Sequence, residues 1–467
     1  MREHILFLTG RLAEASLRKV LAALEPAQFT YGVHVLGLQV AGLMTADMIH
    51  RRLPSTEGAQ RVLVPGRCRG ALEPLSAHFG VPFVRGPEEL KDLPQFFGRG
   101  GTAPDLSRYD VRIFAEIVDA PNMSIDAILA QARRYADAGA DVIDLGCLPE
   151  TPFPHLEDAV IALHEGGHRV SVDSMDSDEL LRGGCAGCDY LLSLTLDSLW
   201  LADEVPATPV VIPAEHTDMA SLYEAIEILS KQGRAFIADP ILDPIHFGFT
   251  ESLGRYRDLR RTWPDVQIMM GSGNLTELTD ADTIGMQAVL AGIMSELGIT
   301  HLLTTEVSGH ALGAVQEADA ARRLMFAARS ADALPRRFDA GLLALRDTSP
   351  FPYSVEEIAE TARAVKDPSF RVQVSEEGIH VYNRDGMHTA NEPFRLYPQL
   401  DLQGDASHAF YMGVELARAQ IAWQLGKRYS QDQELRWGRA PLRRSDPPVA
   451  HRDPSEQERA PAVEDDR

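Results

Sequence analysis

Between residues 112 and 330, a short apolar run and an amphipathic helix-like segment alternate eight times. The runs are RIFAEIVDA (112–120), DVIDLG (141–146), RVSVDS (169–174), YLLSLT (190–195), PVVIPAEH (209–216), AFIADP (235–240), QIMMGSG (267–273) and HLLTTEVSG (301–309). Segments such as SIDAILAQARRYADAG (124–139) and ADTIGMQAVLAGIMSELG (281–298) separate them. Each strand–helix–strand repeat is a βαβ unit, which pairs its strands in parallel. Eight pairs in about 220 residues match the count and length of a (β/α)8 TIM barrel. An open doubly wound sheet shows the same alternation, because periodicity does not report closure.

The flanks are different. Residues 4–86 alternate HILFLTG (4–10), FTYGVHVLG (29–37), RVLVPG (61–66) and VPFVRG (81–86) with helical runs, which predicts a small Rossmann-like α/β domain over residues 1–100. Gly, Pro and Ser in GRGGTAPDLSR (98–108) predict a linker. The barrel is expected over 108–335. A C-terminal α+β domain is expected over 349–438, where SFRVQVSEEGIHVYNRDG alternates with period two around a Glu-Glu-Gly turn and 405–429 has a helical apolar period. Residues 439–467 are Pro-rich and charged, and are read as a disordered tail.

Formal charge is −23, from 45 basic and 68 acidic residues. Such a surface repels nucleic acid and anionic membranes, so neither is expected as a partner. No run is apolar enough to span a bilayer, and MREHILFLTGRL is too short for a signal peptide. Four cysteines fit a reducing compartment, and a cytoplasmic protein is expected. Cys185 and Cys188 have redox or metal spacing without a second pair, and read as structural thiols. The run HEGGH (164–168) reads as a helix C-terminus, since Gly-Gly is incompatible with a helical zinc signature. In the N-terminal domain, PGRCRG (65–70) reads as a phosphate turn or a plain βα turn.

In a TIM barrel the chemistry sits at the carboxyl ends of the strands. Here these ends carry Asp119, Asp144, Asp173, Ser193, Glu215 with His216, Asp239, Ser272 with Asn274, and Thr305, Glu306 and Ser308. Carboxylates around a mouth suit a divalent cation held by oxygen, or a flat heterocycle whose amino group and ring N–H donate paired hydrogen bonds. Others cap the following helix, as Asp176 and Thr250 are expected to do.

IVDAP (117–121), ADVIDLG (140–146), VSVDSM (170–175), ADP with HFGF (238–240, 246–249) and MMGSGN (269–274) resemble, in order and spacing, the pterin-binding barrel of dihydropteroate synthases. With its flanks, residues 1–438 resemble the dihydropteroate synthase-like proteins of tetrahydromethanopterin biosynthesis, a branch of one-carbon metabolism. The resemblance implies a transferase that couples a dihydropterin-6-ylmethyl diphosphate to 4-(β-D-ribofuranosyl)aminobenzene 5′-phosphate, releasing pyrophosphate, with Mg²⁺ as cofactor. It implies pterin contacts from Asp144, Asp173, Ser193, Asp239 and Asn274. Asp119 would act as metal ligand and catalytic residue, alongside Asn274. The family's lysine on strand seven and its Arg-x-His on strand eight are replaced by Ser272-Gly273-Asn274 and Thr304-Thr305-Glu306. Arg112 and His310 are therefore the candidates for the diphosphate. A homo-oligomer, a dimer, is expected. Asn274 also keeps open a pterin-dependent corrinoid methyltransferase, and the lost basic residues keep open a non-catalytic pterin-binding scaffold.

Overall fold

The computed structural model describes residues 2–24, 29–88, 90–98 and 105–440. The proposed tail beyond residue 440 and the centre of the proposed linker lie outside them. The chain forms two compact units. One contains the N-terminal segment together with residues 345–436, and the other contains residues 104–344.

In the first unit, β1 (Glu3–Thr9), β2 (Phe29–Val35), β3 (Arg61–Val64) and β4 (Phe83–Arg85) form a parallel sheet in the order β2-β1-β3-β4. Side chains alternating along β1 feed two apolar layers: Leu6 and Leu8 pack on one face, Ile5 and Phe7 on the other. The PGRCRG turn is a packed βα connection. The Arg69 amide donates to the Met44 carbonyl, Cys68 is buried, and an Arg67 guanidinium nitrogen donates to the Gln431 carbonyl.

The second unit holds the eight strands read from the alternation. These are β5 (Arg112–Ile117), β6 (Val142–Gly146), β7 (Val170–Asp173), β8 (Tyr190–Leu194), β9 (Thr208–Val211), β10 (Ile237–Ala238), β11 (Gln267–Gly271) and β12 (His301–Thr305). All pairs are parallel, and β9 pairs with β10 while β12 pairs with β5, so the sheet closes into a barrel. The open-sheet alternative is thereby excluded. Both faces of each strand are buried, which is why the runs read as continuously apolar. Ile113, Ala115, Ile143, Leu145, Val170, Val172 and Ile268 face the helices. Phe114, Val142, Tyr190, Leu192, Val210, Ile237, Met269 and Leu303 fill the interior.

Helix caps follow local sequence. Ser124 and Asp176 accept hydrogen bonds from Ala127 and Asp178 amides. Thr250 is not a cap: it lies inside the helix Phe249–Thr262, which Gly248 precedes. HEGGH is the end of the helix Leu156–Glu165, with Gly167 in the left-handed region. Cys185 and Cys188 are free thiols, one exposed and one buried.

Back in the first unit, β13 (Arg371–Ser375), β14 (Gly378–Asn383) and β15 (Gly386–Ala390) form an antiparallel meander, with the expected hairpin around Glu376 and Glu377. The helix Ala406–Leu425 packs Met412, Leu416 and Ala419 against Val372, Val374 and Val381. Asp405 caps it through the His408 amide and also holds the His408 ring at 2.7 Å. No described helix is long and apolar enough to cross a membrane.

Candidate functional site

Successive residues of a strand point to opposite faces, so the inner layer predicts which side chains enter the barrel mouth. Phe114, Val142 and Ile237 are interior. Two residues further toward the carboxyl ends stand Glu116, Asp144 and Asp239. On β7, Val170 and Val172 face outward, so Ser171 and Asp173 face in. The mouth therefore collects four acids on its inner wall. On β11 and β12 the equivalent positions are Gly271 and Thr305, which are small.

Strand pairing fixes three of these acids side by side. Glu116 stands opposite Asp144, Asp144 opposite Ser171, and Gly146 opposite Asp173. One carboxylate oxygen from each of Glu116, Asp144 and Asp173 lies within 4.8 Å of the other two. Asp144 is fully buried; its Oδ1 accepts from the Ser171 hydroxyl, while its Oδ2 has no partner among the described residues. Gly146 makes room for this group, since a Cβ there would sit 2.7 Å from Glu116 Oε1.

Burial pushes all three carboxyls above the usual carboxylate range. For Asp144, the charges of Asp173 and Glu116 add to burial. Asp173 is raised by burial and then by Glu116 and Asp239, and Glu116 by burial and then by Glu277. A carboxylate resists losing its proton when water is excluded and like charges are close.

Asp239, just beyond β10, is anchored differently. Tyr256 Oη and the Ile241 amide both donate to its Oδ1 at 2.7 Å. Burial lifts it to about 6, against the lowering effect of those two donors and of Arg255. Asp243, further along the same loop, is buried and paired with Arg255 at 2.8 Å and with His216.

The other expected residues occupy varied places. Ser193 is half-buried on β8, where a register shift between Leu191 and Leu194 interrupts the ladder. Bulged strands often re-aim side chains beside active sites. Asn274 is exposed in the short helix Gly273–Thr276, and its Nδ2 donates to the Leu242 carbonyl at 2.8 Å. That bond fixes the amide, leaving Oδ1 as its acceptor. His310 donates from Nε2 to the Thr276 carbonyl at 3.1 Å. Glu277 accepts from the Val307 and Ser308 amides, so it ties the loop after β12 to that after β11. Glu306 accepts from the Val315 amide and serves the following helix. Glu215 is exposed beyond the end of β9.

Two expectations need correction. Arg112 is the first residue of β5 and bonds Tyr190, the first residue of β8, at 3.0 Å. It therefore stands at the amino end of the barrel, a strand length from the mouth, and does not meet a ligand held there. Asp119 lies past the strand end, exposed, and accepts from Asn122 Nδ2 at 2.8 Å; it is not part of the acidic cluster. The residue that sequence reading missed on this strand is Glu116. Its signal was a charged residue inside a six-residue strand, in phase with Phe114.

Glu116 and Asp173 also line a cleft of about 970 Å³, walled by the loops 147–154 and 174–179. Cys147 lines it as well, with its thiol pushed far up by burial and the neighbouring acids. A high thiol pKa makes it a poor nucleophile.

Fold and site together define a parallel (β/α)8 barrel with an acid-lined mouth open to a cleft. Residues 3–88 match a family of unknown function, DUF6513. Over 93% of its length the chain is 28% identical to an uncharacterized protein of Methanocaldococcus jannaschii, whose whole length is covered. Among solved structures, it is similar to the 7,8-dihydropteroate synthase of Vibrio fischeri ES114, at 17% identity and a TM-score of 0.38, covering 48% of this chain and 94% of that one. It is also similar to the Yersinia pestis dihydropteroate synthase, at 19% identity and a TM-score of 0.37, covering 48% and 95%. At these scores the likeness carries no weight of its own, and function is read from the side chains.

Proposed function

We propose that the barrel binds a dihydropterin and transfers its 6-methylene carbon to an arylamine, as a transferase of the dihydropteroate synthase type. One observation carries the reading: half-buried Asp173 and buried Asp239 stand in phase on the inner wall, close enough for the charge of Asp239 to raise Asp173. A 2-amino-4-oxo pteridine offers donors along a flat edge, and a buried carboxylate accepts such a pair strongly. Both bonds that hold Asp239 fall on Oδ1, which leaves Oδ2 for a ligand. The ordered strand-end residues 117–121, 140–146, 170–175, 238–240 and 269–274 support the same reading.

The finer proposal is a 6-ylmethyl diphosphate donor and 4-(β-D-ribofuranosyl)aminobenzene 5′-phosphate as acceptor, in tetrahydromethanopterin biosynthesis. The amine nitrogen attacks the methylene carbon. The carbon–oxygen bond breaks, its electron pair leaves with diphosphate, and the ammonium proton is released. The chain's share is positioning and electrostatics. Asp173 and Asp239 hold the ring edge, Ser193 adds a hydroxyl, and the Asn274 amide, fixed by Leu242, stands beside it.

The test is calorimetry with a dihydropterin, followed by competition between the ribosyl phosphate acceptor and p-aminobenzoate, with products identified by mass. Absence of pterin binding overturns the reading, and preference for p-aminobenzoate overturns the acceptor. A second reading, methyl transfer to a corrinoid, draws on Asn274 where folate synthases carry lysine. Tight pterin binding without product from either acceptor would favour it.

A further inference from the structure

We propose that Glu116, Asp144 and Asp173 hold one divalent cation at the floor of the barrel mouth. Proximity of acids alone would not carry this; the decisive observation is Asp144 Oδ2. The side chain is fully buried, Ser171 satisfies only its other oxygen, and Oδ2 has no partner among the described residues. A buried acceptor without a partner is costly, and native structures rarely keep one without use. Asp144 also belongs to the group in which all three carboxylates bring an oxygen within 4.8 Å of the others. Mg²⁺–oxygen distances of about 2.0–2.1 Å place two ligand oxygens on one ion at most about 4.2 Å apart. Oxygens within 4.8 Å of one another therefore draw inward by about half an ångström or more to share a single ion.

The backbone is arranged for this cluster. Three adjacent, hydrogen-bonded strands carry the acids, so their spacing is set by the barrel ladder. Gly146 has no Cβ where one would press within 2.7 Å of Glu116 Oε1. The cleft lined by Glu116 and Asp173 gives the ion an entry path and room for water ligands. Oxygen-only donors select a hard cation such as Mg²⁺ or Mn²⁺ over zinc. A pterin edge does not replace the ion, because a flat edge presents donors along a line, whereas these oxygens come from three strands and cluster within 4.8 Å of one another. Asp173 has two oxygens and can serve both ion and ring.

When bound, the cation supplies positive charge to an anionic group entering from the cleft. That use rests on the transferase reading; the site itself does not. Chelator-treated full-length protein, without any pterin, is titrated with Mn²⁺ and followed by the paramagnetic resonance of the free ion. One Mn²⁺ per chain is expected, with a dissociation constant below about 1 mM. Mg²⁺ should displace it. Glu116→Gln and Asp144→Asn should each weaken binding at least tenfold, and Asp119→Asn should leave it unchanged. Circular dichroism checks folding; if Asp144→Asn does not fold, the half-buried Glu116→Gln decides. No stoichiometric Mn²⁺ at about 10 mM, affinity retained in Glu116→Gln, or loss confined to Asp119→Asn overturns the site. Because no pterin is present, such a failure leaves the transferase reading standing. Mn²⁺ binding without pterin binding would sink that reading and spare the site.

Discussion

Replacing Asp239 by asparagine separates what this carboxyl does for the fold from what it does for a ligand. Tyr256 and the Ile241 amide both donate to Oδ1. An asparagine keeps an oxygen there and puts an amide nitrogen at the Oδ2 position. Burial holds Asp239 at about 6 against an ordinary 3.8. Below pH 4 the group is protonated in both folded and unfolded chains and costs nothing. Between pH 4 and 6 the unfolded chain ionises first and the native state loses ground; above pH 6 the deficit is constant. About two pH units at 1.36 kcal/mol each amount to about 3 kcal/mol. Asp239→Asn never carries the charge, so at pH 8 it should be more stable than the parent by about 3 kcal/mol, with the gain fading as pH falls to 4. Its pterin affinity should move the other way. A charge-assisted pair worth about 1.5–3 kcal/mol is lost, which is about ten- to over a hundredfold in affinity. Urea unfolding at pH 4, 6 and 8, with calorimetry on a dihydropterin, reads both. A variant less stable at pH 8, or a gain that persists at pH 4, refutes the burial reasoning. Unchanged affinity refutes the placement of the ring.

Gly146→Ala places a Cβ 2.7 Å from Glu116 Oε1; denaturant unfolding should show a loss of about 1–3 kcal/mol, as overpacking does, and Mn²⁺ binding should weaken. Glu317 is buried, accepts from Thr283 and is raised by burial to about 7 from 4.5. Its cost is absent below pH 4.5 and complete above pH 7, so Glu317→Gln should gain about 3 kcal/mol at pH 8 and nothing at pH 4 in the same unfolding series. Arg112→Ala should leave the Michaelis constant of a phosphorylated acceptor within about twofold of the parent's; a much larger rise would return Arg112 to the anion site.

Eight strands were legible because each is a short apolar run between amphipathic helices, whereas closure was not, since it depends on pairing between β9 and β10 and between β12 and β5. Asp173 and Asp239 were legible as acids at strand ends. Glu116 was not, because Ile113, Phe114 and Ala115 are all apolar and hide which face each residue takes. Asp119 drew attention instead, although it lies past the last residue of β5. Arg112 carries its charge at the amino end of β5, so its residue type suits an anion while its place does not. Phase resolves these cases. Glu116, Asp144 and Asp239 each lie two residues beyond an inner-layer apolar residue, Phe114, Val142 and Ile237. Applied to the remaining strands, the same step lands on Gly271 after Met269 and Thr305 after Leu303. A Cβ added at Gly271 would meet nothing within 4 Å. Acids thus line the wall from β5 to β7 and at β10, and small residues line β11 and β12. A flat ligand held by Asp239 and Asp173 therefore finds its space on the side of Gly271, where Asn274 stands one turn beyond.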